Sequence, residues 1–241
     1  MSNTRRESII LAILAKLAEA ITTNYYNLNC GSNVFRCRQN VDPEATVPEV
    51  PCFNVWPQPE EATKDYGKVR HVMPIRVEGI AEFSTSNPSV IAEQILGDLI
   101  EVMTGIEWTL PFTSGGTYEV KAGDTIKGHT SLAEALVVAS TVTSGTWAGG
   151  NAEGNLTLRR LKKEFQAENL DVGTNLNVAT ITGSITGVNP VTSTTGGYAD
   201  SIEYAAGGTD SYPEEGHKTV GASAVFNIQY VTNQGDPYNA E

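Results

Sequence analysis

The stretch Arg70 to Phe83, "RHVMPIRVEGIAEF", constrains the fold more than any other. Met73, Ile75, Val77, Ala81 and Phe83 fall on one face. Arg70, Arg76, Glu78 and Glu82 fall on the other. A period of two over that length is a strand with one buried and one wet face, which suits an antiparallel sheet. Pro74 has no backbone donor and predicts a place near an edge or a bulge.

Two helices accompany this strand. Ile9, Ile10, Ile13, Leu14, Leu17 and Ile21 recur at helical spacing and predict an amphipathic helix of about five turns. In "SNPSVIAEQILGDLIEVM", Asn87 is the expected N-cap and Pro88 the first helical residue. "NVFRCRQ" and "EVPCFNVW" read as short strands. In "WPQPEEATKDYGK", Pro57 and Pro59 predict a loop or an edge. This grammar stops after Trp108 and returns near Tyr198. "YADSIEYAA" places Ile202 and Tyr204 on one face of a strand, and "GGTDSYPEEGHK" reads as a turn. In "GASAVFNIQYVT", Ala222, Ala224, Phe226, Ile228 and Tyr230 alternate with Ser223, Asn227 and Gln229. The expected frame is α+β, a mostly antiparallel sheet flanked by two helices, built from residues 1–108 and 198–241.

Residues 109–197 break that frame. "GTYEVKAGDTIKG", "LAEALVVASTV", "GNLTLRRL" and "NLNVATITG" are short apolar or alternating runs between glycine turns, and predict an inserted small all-β barrel or sandwich. "SGTWAGGNAEGNLTLRR" is then its turn-rich centre, with Gly145, Gly149, Gly150 and Gly154 supplying turns and close approaches. "GSITGVNPVTSTTGG" reads as a flexible return linker.

Apolar content of 40% and charged content of 18% suit a globular protein. The net charge of −12 lacks the basic stripe of a nucleic-acid binder; Arg159, Arg160, Lys162 and Lys163 form its only basic cluster and read as a solvated turn or strand end. Cys30, Cys37 and Cys52 are an odd count without CxxC spacing, which fits a reducing compartment. Cys37 and Cys52 read as small buried hydrophobes in strands. Lys16 and Glu19 interrupt the apolar N-terminal run, so neither a signal peptide nor a membrane span is expected.

Catalytic chemistry is not expected. His71, His129 and His217 stand far apart, and no HExxH, CxxC or GxSxG occurs. His71 reads as a structural histidine on a buried face. Gly123 and Gly128 have phosphate-loop spacing, but His129 stands where lysine is required before Thr130, so both glycines read as turns. "GGTDSYPEEG" and "NQGDPY" lack the ligand alternation of a calcium loop. No catalytic, metal or cofactor residue is assigned, and the chain is not expected to be an enzyme.

The frame resembles the tail terminator (tail-completion) family of long-tailed bacteriophages. The matching elements are "RRESIILAILAKLAEAI", "PCFNVWPQPEEATKDYGK", "HVMPIRVEGIAEF", "VIAEQILGDLIEVM" and "ASAVFNIQYVTNQGDPY", 79 residues in all. The resemblance implies a subunit made in the host cytoplasm and built into the virion as a six-fold ring. Such a ring caps the tail tube, ends its growth and offers a face to the head connector or neck proteins. DNA would pass through it without specific binding, and an acidic wall would keep DNA from sticking. Its expected partners are further copies of itself and the tail tube protein, with no membrane. The candidate assembly residues are Trp56, Glu60 and Glu61 of the Pro-rich segment and Asp236, Pro237 and Tyr238 of the tail, with Glu241 keeping the tail solvated. A second class of function remains open: a carbohydrate- or surface-binding accessory protein. Among the insertion's aromatics, Trp147 is the candidate platform for it, although an aromatic in a small barrel is more often core.

Overall fold

The computed structural model describes residues 3–39, 49–83, 87–211 and 218–238. Helix α1 (Arg5–Leu17) leads to strands β1 (Val34–Arg36), β2 (Cys52–Pro57), β3 (Glu61–Asp65) and β4 (Lys68–Glu82), then to helix α2 (Pro88–Thr104). Strands β5 (Glu107–Gly115), β6 (Thr125–Gly128), β7 (Glu134–Ser144), β8 (Ala152–Lys162), β9 (Glu168–Val172), β10 (Asn175–Ile181) and β11 (Thr186–Val188) follow. Helix α3 (Pro190–Thr195) and strands β12 (Ser201–Ser211) and β13 (Thr219–Asn233) complete the order. The chain forms two compact units, one from residues 1–104 and 190–241 and one from residues 105–189. The breaks therefore fall at Gly105 and Asn189, not at 109 and 197.

The first unit is α+β. Its six-stranded sheet runs β1-β2-β4-β13-β12, with β3 beside β4. Every pairing is antiparallel except β1 with β2. Met73, Ile75 and Val77 of β4 lie beside Ile228, Phe226 and Ala224 of β13, and all six are buried. Helix α2 packs on this side, against β4, β12 and β13. At Gly79 a Cβ atom would stand 2.3 Å from Ile95, so only glycine lets α2 come this close to β4. Ile9, Ile10, Ile13 and Leu17 bury one stripe of α1 in the same core, about 2 kcal/mol each in water-removal terms.

Local chemistry sets the helix ends. The Thr4 hydroxyl accepts from the Glu7 N–H at 3.2 Å and caps α1. Asn87 caps α2 by accepting from the Ser89 N–H at 3.0 Å, as its sequence position predicts. Helix α1 ends at Leu17, about a turn before the apolar spacing does, and a short 3-10 turn at Thr22–Asn24 follows.

Pro74 corrects one expectation, because it lies in the interior of the sheet. Strand β4 pairs with β13 throughout and with β2 and β3 in turn on its other side. Pro74 stands where β2 ends and β3 has not begun, and its carbonyl accepts from the Gln58 N–H at 2.9 Å. Carbonyl and nitrogen of one strand residue point the same way, so the missing donor faces that break. The Pro-rich segment itself supplies the edge strand β3, all of whose residues are exposed.

The second unit is a closed six-stranded barrel, β10-β9-β6-β7-β8-β5, sealed by the β10–β5 pairing, with β11 added on β5. Leu110, Phe112, Ile126, Val137, Leu156, Leu158, Leu170 and Ile181 fill its interior. Strands β5 and β9 lie outside the four runs that the sequence singles out. Pro111 of β5 stands at the break between its β11 and β10 partners, much as Pro74 does in the other sheet. The barrel's ends meet, since Glu107 pairs with Val188.

The expected linker is not one. Thr186–Val188 is strand β11 and Pro190–Thr195 is helix α3. Thr194 and Thr195 are buried, and the Thr194 hydroxyl donates to the Met103 carbonyl at 3.1 Å. Of the turn expected at 207–218, residues 212–217 lie outside the described residues, and so does Glu241.

Candidate assembly surface

The end of β13 turns back on the start of the chain. Beyond Asn233, the Gln234 N–H donates to the Gly67 carbonyl at 2.8 Å, and Gly235 takes a φ of +80°. The Asp236 N–H returns to the Asn233 carbonyl at 3.0 Å, and the Asp236 carboxylate accepts from the Tyr238 N–H at 2.9 Å. The Pro237 carbonyl accepts from the Arg5 N–H at 2.9 Å. That N–H belongs to the first turn of α1, where no carbonyl within the helix can reach it. The Arg5 Nε–H also donates to the Tyr198 carbonyl at 2.7 Å. Asp236, Pro237 and Tyr238 are thus one fixed turn, and the Tyr238 ring remains 49% exposed.

Glu60 sits beside this turn's anchor on α1 but is engaged from several sides. The Tyr230 hydroxyl donates to its carboxylate at 2.7 Å. Arg6 Nε lies 3.3 Å from the carboxylate and His71 Nδ1 lies 3.2 Å from it. Both nitrogens are buried and neither is aligned for a hydrogen bond, so the Arg6 contact is Coulombic and His71 is a close neighbour. His71 stacks on Tyr230 with centroids 4.6 Å apart and shares a hydrogen bond of 2.9 Å with the Thr232 hydroxyl. Burial, then the bond to Glu60, pushes the Tyr230 phenol far above its ordinary range, so it serves as a donor and not a base. The cluster ties α1, β4 and β13 together, and His71 is structural.

Trp56 and Glu61 stand elsewhere. Trp56 is half-buried on β2, and its indole N–H donates to Glu78 at 2.7 Å, which also pairs with Arg76 at 3.0 Å. Glu61 is exposed on the edge strand β3. The structure brings the three tail residues together and sets Glu60 close to α1, but does not gather Trp56 and Glu61 with them.

Trp147 is not a surface platform. It is 8% exposed, and its ring stacks on Phe112 with centroids 4.9 Å apart. A Cβ on Gly115 would stand 2.5 Å from that ring, so Gly115 provides its seat. The loop is shaped for this purpose: Asn151 accepts from the Thr146 N–H at 3.0 Å, and Gly145 and Gly150 take positive φ. The glycine-rich passage is a hairpin loop that folds a tryptophan back into the barrel core.

The basic cluster is dispersed: Arg159 is buried, and Lys162 pairs with Glu134 at 3.1 Å. Gly123 is a positive-φ turn, and His129 faces Asp171 at 2.8 Å. Cys37 is exposed just after β1, which corrects its expected burial, whereas Cys30 and Cys52 are buried and free. Burial pushes the Cys52 thiol up to about 11, so it stays protonated and inert.

Two polar anchors carried no sequence signal. Asp98 of α2 is fully buried and accepts from the Asn27 and Leu28 N–H groups at 3.1 and 2.8 Å, holding that loop on the helix. Glu168 accepts from Thr130 N–H, Ser131 N–H and the Ser131 hydroxyl at 2.6, 2.9 and 2.5 Å. Such loop-to-carboxylate contacts depend on tertiary folding, and neither residue lies in a recognisable spacing. Among the described residues no group of three His, Cys, Asp or Glu side chains is placed to hold a metal ion, and no helix is long and apolar enough to cross a membrane.

No model of a known protein family matches the chain, and no curated protein matches its sequence.

Proposed function

We propose that this chain is a structural subunit of a phage tail terminator. Copies close a ring on the end of the tail tube, stop its growth and offer a face to the head connector or neck proteins. The observation that carries the reading is the turn after β13. Residues 236–238 are held on the first turn of α1 by the Arg5–Pro237 bond, and the Tyr238 ring stands half in solvent. An amphipathic ring carried on a fixed turn gains little in water, but against a neighbouring protein face it buries area with its backbone already ordered. The order of elements supports the same reading, because the frame that resembles the terminator family is the six-stranded α+β unit, with the barrel set between α2 and α3. The net charge of −12 suits a ring whose channel passes DNA without holding it.

The test is tube growth. Purified tail tube protein polymerised with the full chain should give tubes of arrested length that carry the protein at one end in electron micrographs. Tubes that lengthen equally with and without the chain, and carry none of it, contradict the proposal.

A further inference from the structure

Among the described residues the path of the α+β sheet ends in two open edges, apart from the short edge strand β3, and these two are complementary. Strand β12 closes one end of the sheet path and, among the described residues, has a partner, β13, on one side only; β1 closes the other end. Native edge strands are commonly guarded by lysine or proline. Strand β12, "SIEYAAGGTDS", has neither, and residues 203–207 are exposed. Two register shifts against β13, at Tyr204/Ala206 and Thr209/Ser211, interrupt it. Between them Ala206, Gly207, Gly208 and Thr209 keep regular register, with small side chains that let another backbone approach. Strand β1 is of similar length, three residues against four. Charge matches too. β12 carries acidic residues and no basic one, whereas β1 brings Arg36, and Arg38 just after it is engaged by Glu49. Arg36 is exposed and bonds Glu7 at 2.7 Å, and a guanidinium with five N–H donors has room for a second carboxylate.

We propose that β12 of one copy pairs with the β1 edge of a second copy of this chain, so that the sheet continues across the joint. This inference rests on the ring reading and names its interface. Pairing two different edges is a head-to-tail contact, the kind that closes rings. A two-fold joint of β12 with β12 would instead bring two acidic strands together.

Chemical cross-linking of the full chain decides it. Cys37 is the exposed cysteine and lies next to β1, while Cys30 and Cys52 are buried. The Ala206→Cys variant, treated with a short bis-maleimide, should give a ladder of covalent oligomers beyond the dimer on a denaturing gel. Adding Cys37→Ser should abolish the ladder. Dimers alone that persist in the Cys37→Ser background would show a two-fold β12 joint and overturn the proposal. No cross-link in a sample that light scattering shows to be assembled would also overturn it while leaving the ring reading intact. No assembly under any condition, with no binding to tube protein, would remove both.

Discussion

The Arg5 N–H donates to the carbonyl of Pro237, 2.9 Å away, so the first turn of α1 is completed by the segment that follows the last strand. The two ends of the α+β unit are thereby fixed to each other.

Deleting residues 235–241 separates stability from assembly. Two backbone hydrogen bonds to the rest of the chain are lost, Arg5–Pro237 and Asp236–Asn233, and the groups left behind can bond water, so the cost in urea should be about 1–2 kcal/mol. Tube capping should nonetheless fail, because Tyr238 is gone. A truncated protein that caps tubes as well as the full chain would show that the tail has no role at the interface.

Trp147→Ala should unsettle the barrel by about 3–5 kcal/mol, the usual range for removing a buried large aromatic. The ring's seat on Gly115 and its stack on Phe112 leave no neighbour free to fill the space. Urea unfolding measures the loss. A cost under about 1 kcal/mol would place Trp147 outside the core after all.

Much of the fold was legible because its signals are local. The alternation in β4 and β13, the stripe of α1 and the Asn87–Pro88 start of α2 each need only neighbouring residues to be read. What failed depended on distant ones. Pro74 looks like the mark of an edge or a bulge until the neighbouring strand is known to change beside it. "TSTT" has poor helix propensity, and burial of Thr194 and Thr195 against the rest of the α+β unit overrides it. Of the candidate residues, the turn at 236–238 was legible from Gly235 and Pro237. Its docking on Arg5 was not, since no sequence spacing pairs position 5 with position 237.

Glu168 should make stability depend on pH in acid. Burial pushes its carboxyl up, but the Ser131 hydroxyl and the Ser131, Thr130 and Gln166 N–H groups outweigh that and hold it below the usual carboxylate range. A folded-state value below the unfolded one adds stability above the unfolded value, and that stability is lost as pH falls through the folded one. Glu168→Gln should therefore cost about 2–3 kcal/mol at pH 7 and clearly less near pH 3. Urea titrations at both values check this, and an equal cost at the two would contradict it.

The barrel should be removable. Its two ends meet at the Glu107–Val188 pair, and opposed residues of antiparallel strands lie about 5 Å apart. Replacing residues 105–189 by a short Gly-Ser linker should leave one cooperative unfolding transition in the remaining α+β unit. A broad, non-cooperative transition would show that the unit needs its insertion.

The claim of a closed ring is tested most directly by the native mass of the assembled protein, alone and with tail tube protein. The account predicts a discrete species of six 25.8 kDa chains, formed alone or on the tube, with no open series of larger oligomers. A 25.8 kDa monomer at every concentration that also fails to bind tube protein would contradict it.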